Sequence, residues 1–397
     1  MKLIKAYKYR LKISPHEEVS LAQFSGCTRF VWNLALSFQK ELLDAGKRCL
    51  SYESLTSLLP LWKKEFPFLK EVHSQILQQR LKELCHALGA AFDPKDPRDF
   101  PKFKKKHKSI ASFRYPQGFK LEGSRVFLPK IGWMRFYKSR DIDGTPKNLT
   151  VSKRGQHWYI SIQTETDVVS PAHPAFSIAG ADMGIRNTLT LSDGTIYEPA
   201  DSLKIMASKL AVMQKNLSRM VKRSSNWKKQ KKKISRLHVR ISDMRKDHTH
   251  KISSEVSKSH AVLVLEDLKV KNMSASAKGT ISNPGKNVKR KSALNHKILD
   301  QGWYELRRQI EYKMSWSGGQ VVFVHPANTS RTCSCCGHVS PENRPSQALF
   351  YCVQCGHTEN ADVNAAKVIR GAGQALLACG SNGASMPSEA GTVQKHC

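Results

Sequence analysis

An α/β chain of two packed units is what this sequence predicts, on three observations. The first 165 or so residues run in the order strand, helices, strands. Two short apolar runs, AVLVL at 261–265 and GQVVFV at 319–324, have the composition of strands buried on both faces of a parallel sheet. The length, 397 residues, exceeds the roughly 250 to 300 at which a single hydrophobic core stops growing.

Taken in order, residues 2–12 alternate charged and apolar side chains and read as a strand, and Phe24, Cys27, Phe30, Val31 and Leu34 follow at helical spacing. A second helical pattern covers about 72–92 and stops before AFDPKDPRDFPKF; 126–128 and 158–163 read as strands. This order predicts a β-barrel with a helical insertion. Pro171 and Pro174 bracket a linker, after which SIAGADMGIRNTLTLSDGTIY reads as two strands and a turn. Leu210, Met213, Leu217 and Met220, and again Ile234, Leu237, Ile241 and Met244, repeat at 3,4,3 spacing, predicting a basic antiparallel helical hairpin. AVLVL and GQVVFV are expected as central strands, with a mobile basic loop over 271–292 and a helix over 303–316 between them. From about Gly371 onward the Gly, Ser and Ala content predicts a disordered tail.

Sixty-five Lys and Arg against 32 Asp and Glu give a net charge of +33, a self-repulsion best explained by a polyanionic partner, with nucleic acid the leading candidate. No run of eighteen apolar residues and no basic helix with a bulky apolar face favours a membrane instead. The opening MKLIKAYKYRLKIS does not read as a signal peptide, so a cytosolic address is expected.

Of ten cysteines, Cys333, Cys336, Cys352 and Cys355 form C-x₂-C-x₁₅-C-x₂-C, each pair followed at once by Gly337 or Gly356. Such turns direct four thiolates at one tetrahedral Zn²⁺ whose closed coordination makes it structural, a zinc ribbon. Cys335 lies inside the first knuckle and could compete, but the symmetry of CSCCG with CVQCG favours Cys336. Cys27, Cys49, Cys85, Cys379 and Cys397 are scattered and read as buried or inert thiols.

Asp182 closes an apolar run beside Gly180 and Gly184, and is expected at a sheet edge; Glu266 ends AVLVLE; Asp362 opens the helical run DVNAAKVI. Each has a plainer use, as turn residue, strand-end charge or helix N-cap. Together, three acids from two strand ends and one helix start can hold two Mg²⁺ about 4 Å apart for phosphodiester cleavage.

The motifs GADMGI, VLEDL, TSRTCSCCG, CVQCG and DVNAA, in that order, together with GCTRFVWNLAL near the start, resemble the OrfB/TnpB family of transposon-encoded RNA-guided nucleases. The resemblance implies an RNase H-like (RuvC) nuclease domain at 175–372, with the hairpin at about 203–258 and the zinc ribbon at about 328–358. It implies an N-terminal wedge-type β-barrel at 1–168 with a helical recognition insertion at about 14–95, leaving 373–397 as a tail. Asp182, Glu266 and Asp362 match the family's catalytic acids, so Zn²⁺ would be structural and Mg²⁺ catalytic.

The same resemblance implies a guide RNA from the transposon end and a double-stranded DNA target cut beside a short flanking motif; a monomer is expected over a dimer, in the prokaryotic cytoplasm and acting at the nucleoid. Tyr52 and Gln78 fall where the family reads the flanking motif, and Gln suits a bidentate contact with adenine. The basic segments KFKKKHK, KKQKKK and KNVKRK, with Lys104, Lys105, Lys106, Lys229, Lys231 and Lys232, would wall the heteroduplex channel. Competing readings are an RNA-guided repressor with little cleavage, an RNase H-fold transposase performing strand transfer, and a zinc-ribbon binding module without catalysis.

Overall fold

The computed structural model describes residues 2–95, 98–106, 109–169 and 171–380, in two compact units, Met1–Val169 and Ser170–Cys397. The first begins with β1 (Lys2–Lys12), whose alternating residues send Leu3, Tyr7, Tyr9 and Leu11 inward. Ser14 and Glu17 then form a capping box that starts α1 (Pro15–Asp44), and α2 (Tyr52–Ser57), α3 (Leu59–Glu65) and α4 (Ser74–Ala91) follow. Six strands complete the unit: β2 (Ser112–Tyr115), β3 (Lys120–Glu122), β4 (Arg125–Leu128), β5 (Gly132–Phe136), β6 (Thr145–Arg154) and β7 (His157–Asp167).

These strands pair antiparallel in the order β2-β6-β7-β1-β5-β4-β3. β1 links the two halves, pairing with β7 through residues 2–10 and with β5 through Leu11 and Lys12. Trp158, Tyr9, Tyr115 and Phe113 fill the core against α1 and α4.

The second unit holds β8 (Ile178–Asp182), β9 (Leu189–Leu191), β10 (Ile196–Tyr197), α5 (Ser202–Ser218), α6 (Ser225–Ser259), β11 (Val262–Glu266), α7 (Val270–Met273), α8 (Val288–Gln301), α9 (Trp303–Ser317) and β12 (Gln320–Val324). A small hairpin of β13 (Leu349–Tyr351) and β14 (Thr358–Asn360) precedes α10 (Ala361–Gly380). The sheet order is β10-β9-β8-β11-β12, with β8, β11 and β12 parallel and β9 and β10 antiparallel. Leu263 and Leu265 of β11 face α6, α8 and α9, while Val264 faces Ile369 of α10. Along the hairpin of α5 and α6, Leu210, Ile234, Leu237 and Ile241 form a separate small core, and Gln230 Nε2 donates to the Met213 carbonyl at 3.0 Å. No described helix is long and apolar enough to cross a membrane.

Four expectations are corrected. β12 is an edge strand; its apolar run is covered by helices on the faces, which composition alone cannot tell from a central position. β8 is the inner strand, so Asp182 lies at the middle of the sheet and not at an edge. Residues 288–292 belong to α8, since Lys and Arg are good helix formers and Ile298 anchors the far end of the helix in the core. The expected tail is helical through Gly380, because Gln374–Ala378 favours helix and Gly373 fits against Val264; residues 381–397 lie outside the described residues.

Candidate active site

The local sequence around Asp182 exists to let a helix come close. A Cβ on Gly180 would run into the backbone of Ala366 and Arg370, and a Cβ on Gly373 would strike the Val264 side chain. These two glycines, with the buried small residues Ala365 and Ala366, allow α10 to lie directly on β8 and β11. That approach carries Asp362, at the start of α10, to the strand ends that bear Asp182 and Glu266.

Asp182 feels the other two acids. Burial, then the charges of Glu266 and Asp362, push the Asp182 carboxyl up to about 7, with Arg344 pulling it back. Glu266 is raised by burial and partly restored by Thr329, whose hydroxyl donates to Oε1 at 2.6 Å. Asp362 accepts from Asn187 Nδ2 at 3.2 Å and pairs with Arg344 Nη2 at 3.4 Å. It is not the helix cap: Asn360 Oδ1 accepts the N–H groups of Asp362 and Val363, which leaves the Asp362 carboxylate for other partners.

Thr329, Arg344 and Asn187 are the neighbours that sequence reading missed. Thr329 opens the TSRTCSCCG motif without being singled out in it, Arg344 lies between the two cysteine pairs, and Asn187 sits in the β8–β9 turn; none of them is an acid or a cysteine.

The four cysteines are assembled, with Cys333 and Cys355 sulfurs 3.7 Å apart and Cys336 and Cys352 sulfurs 3.6 Å apart. All four sulfurs lie within 4.8 Å of one another, and among the described residues theirs is the only cluster of His, Cys, Asp and Glu gathered closely enough to hold a metal as it stands. The two knuckles match: Gly337 N–H donates to the Cys333 carbonyl at 3.0 Å and Gly356 N–H to that of Cys352 at 2.9 Å, both glycines in the left-handed region. Cys335 is exposed and outside the cluster, its N–H directed at Cys333 Sγ. Burial opposes ionisation of Cys352, but the N–H groups of Cys355 and Gln354 and the neighbouring thiols draw it down to about 6. Cys27 is buried, Cys49 and Cys85 half-buried, and Cys379 exposed.

Asn364 ties the ribbon to α10, donating to the Thr332 carbonyl at 2.8 Å and accepting from Ser334 N–H at 3.0 Å. The run DVNAA thus serves in turn as acid, core contact, ribbon anchor and small packing surface.

The expected contact residues differ in availability. Lys229, Lys231 and Lys232 are exposed on the first turns of α6, as are Lys105 and Lys106 in the first unit. Lys104 is not a free wall residue: its ammonium lies 3.4 Å from the Trp32 ring, and burial, with help from Arg80, lowers it to about 8. Tyr52 and Gln78 are half-buried on α2 and α4, which pack together.

The family model OrfB_IS605, described as a probable transposase, matches residues 161–277, and a Cas12f1-like TNB domain model matches 303–369. A chain of Escherichia coli (strain K12), InsQ, named as an RNA-guided DNA endonuclease, is 51% identical over 96% of this chain and 95% of its own. The chain belongs to the OrfB/TnpB family. A second relative with an RNA-guided DNA endonuclease name, from Streptomyces pristinaespiralis, is 33% identical over 95% of this chain and 91% of its own. In fold, this OrfB/TnpB chain resembles Cas12f1 as solved by cryo-EM in a complex with sgRNA and target DNA, at TM-score 0.51 and 16% identity, covering 93% of this chain and 99% of that one. A helix-turn-helix model also matches residues 1–48, where the described residues form β1 and the single helix α1.

Proposed function

We propose that the chain is an RNA-guided, metal-dependent DNA endonuclease that cuts target DNA beside a short flanking motif with one nuclease site. What carries the reading is the meeting of Asp182, Glu266 and Asp362, expressed in the raised Asp182 carboxyl, in a chain 51% identical to InsQ. In this reading the second unit is an RNase H-like (RuvC) domain, a placement supported by its strand order and by α10 against β8. The first is a wedge-type β-barrel unit with α1 to α4 as its recognition insertion, carrying Tyr52 and Gln78.

Three carboxylates offer the hard oxygen donors that Mg²⁺ prefers, and four thiolates the soft tetrahedral set that Zn²⁺ prefers. Bound Mg²⁺, two ions in this reading, supplies Lewis-acid stabilisation of the phosphoryl oxygens. Asp182, Glu266 and Asp362 orient and neutralise that charge. Thr329 fixes the Glu266 rotamer, Asn187 holds Asp362, and Arg344 adds positive charge where the phosphodiester becomes more negative. The ribbon, holding structural Zn²⁺, keeps Arg344 and Asp362 in register.

The test is cleavage of a matched double-stranded target by the protein purified with its RNA, with Mg²⁺, against Asp182→Ala. Cutting by wild type and none by the variant is expected; an uncut target with every guide and flanking sequence overturns the proposal.

A further inference from the structure

The solvent face of the first sheet carries an arrangement that its own fold does not use. Lys12 of β1 is directly opposite Arg135 of β5, and Arg135 is directly opposite Arg125 of β4. Residues opposed in this way share one face, so three cations stand in one row across three strands. Like charges so placed repel, and the fold offers little relief. Arg125 pairs with Glu122 at 2.8 Å, whereas Lys12 and Arg135 have no carboxylate partner among the described residues.

Aromatic side chains flank this row on both sides. Phe127 is opposite Trp133, with ring centroids 5.6 Å apart, and Trp133 is 46% exposed. On the other side Tyr137 is 49% exposed and lies 4.4 Å from the Arg10 guanidinium. Trp133 also lies 5.4 Å from the Arg125 guanidinium, yet with these neighbours in place both Trp133 and Tyr137 keep nearly half of their surface open to water.

We infer that this face binds an unpaired nucleic-acid strand, with Trp133 and Tyr137 stacking on bases and the Lys12, Arg135 and Arg10 charges taking the phosphates between them. An acidic peptide would answer the cations but leave the aromatics idle. A duplex would answer the cations too, but its bases already stack on one another. A flexible single strand satisfies both rows, because every base has a face to stack and phosphates recur along the strand. The inference rests on the proposed function only in taking the polyanion to be nucleic acid; it needs neither the three acids nor cleavage.

The experiment uses the full chain freed of co-purified nucleic acid and follows fluorescence anisotropy of labelled single-stranded RNA, single-stranded DNA of the same sequence, and the DNA duplex. Trp133→Ala/Tyr137→Ala and Lys12→Glu/Arg135→Glu are each expected to weaken single-strand binding roughly tenfold or more. Trp133→Phe, which keeps a stacking ring, stays within about threefold of wild type, and so does the charge-matched control Lys64→Glu/Lys258→Glu. Thermal melting curves that overlay wild type assign the loss to the surface. The strand more affected, RNA or DNA, identifies which partner lies there, and equal loss means that the sugar is not read. Unchanged single-strand affinity in both double variants, or a loss confined to the duplex, overturns the inference. A wild-type chain that binds single strands through this face yet cuts nothing overturns the nuclease proposal alone.

Discussion

The Asn364 side chain is bound on both of its polar ends to the first cysteine knuckle, donating to Thr332 and accepting from Ser334, two residues along α10 from Asp362. Since Asn364 is fully buried, Asn364→Ala leaves two knuckle backbone groups without partners, a cost of about 1–3 kcal/mol each at most. The expected outcome is a ribbon that keeps its metal but is no longer registered on α10. Zinc content near one per chain with strongly reduced cleavage is the signature; wild-type cleavage would show that the anchor has no bearing on the site.

Gly180 tests the other wall. Gly180→Ala forces a Cβ into the Ala366 and Arg370 backbone, which cannot yield as a side-chain tip would. Overpacking of this kind costs about 1–3 kcal/mol or more, and α10 must lift from β8. Melting should fall by several degrees and Mg²⁺-dependent cleavage should drop more steeply than stability, because displacing α10 moves Asp362 directly. Melting and cleavage like wild type would contradict the close approach.

The pH behaviour follows from Asp182. Its carboxyl is raised to about 7 by burial and by Glu266 and Asp362, so without Mg²⁺ the folded state holds a proton that the unfolded chain, near 3.8, has released. Stability from this group is complete below about pH 4 and is lost as pH rises through 7, at most about 4 kcal/mol. Without added Mg²⁺, melting temperature therefore declines more steeply from pH 5 to 8 in wild type than in Asp182→Asn, measured by differential scanning. Cleavage runs the opposite way, since protons compete with Mg²⁺: at limiting Mg²⁺ it should rise toward pH 7 and above, with a midpoint that moves down as Mg²⁺ is increased.

Much of this was legible in the sequence for physical reasons. Alternation fixed β1 to the residue, because one face of that strand is core and the other solvent. The CxxC pairs announce their turns because a tetrahedral site constrains backbone and ligand together. Illegible features depended on tertiary placement: that β12 is an edge, that α10 continues to Gly380, and that Lys104 folds onto Trp32. Thr329, Asn187 and Arg344 belong to the same class, since a single hydroxyl, amide or guanidinium has no period or spacing to betray it.

The ribbon itself makes a stability prediction. Its buried core is Cys333, Phe350, Cys352 and Ala361, too little apolar surface to fold without help, so a metal held by the four sulfurs is expected to contribute the difference. Cys352→Ser should lower melting and cleavage together, and a zinc-selective chelator should reproduce both in wild type while adding nothing to the variant. A variant with wild-type melting would mean that the four sulfurs do not hold the fold.

Arg344 separates electrostatics from scaffolding. It pairs with Asp362 and also restrains the rise of Asp182, so Arg344→Ala removes a cation that opposes the charge of Glu266 and Asp362 on Asp182. Asp182 should then hold its proton to still higher pH, and the alkaline shift of the cleavage midpoint should come with a rate loss of roughly tenfold or more even where the acids are ionised. Arg344→Lys retains the charge without the fork, so it should restore much of the pH midpoint and less of the rate. If both variants cut like wild type at every pH, Arg344 is only a surface partner of Asp362; if both lose rate with no movement of the midpoint, its role is geometric and its charge does not set the Asp182 proton.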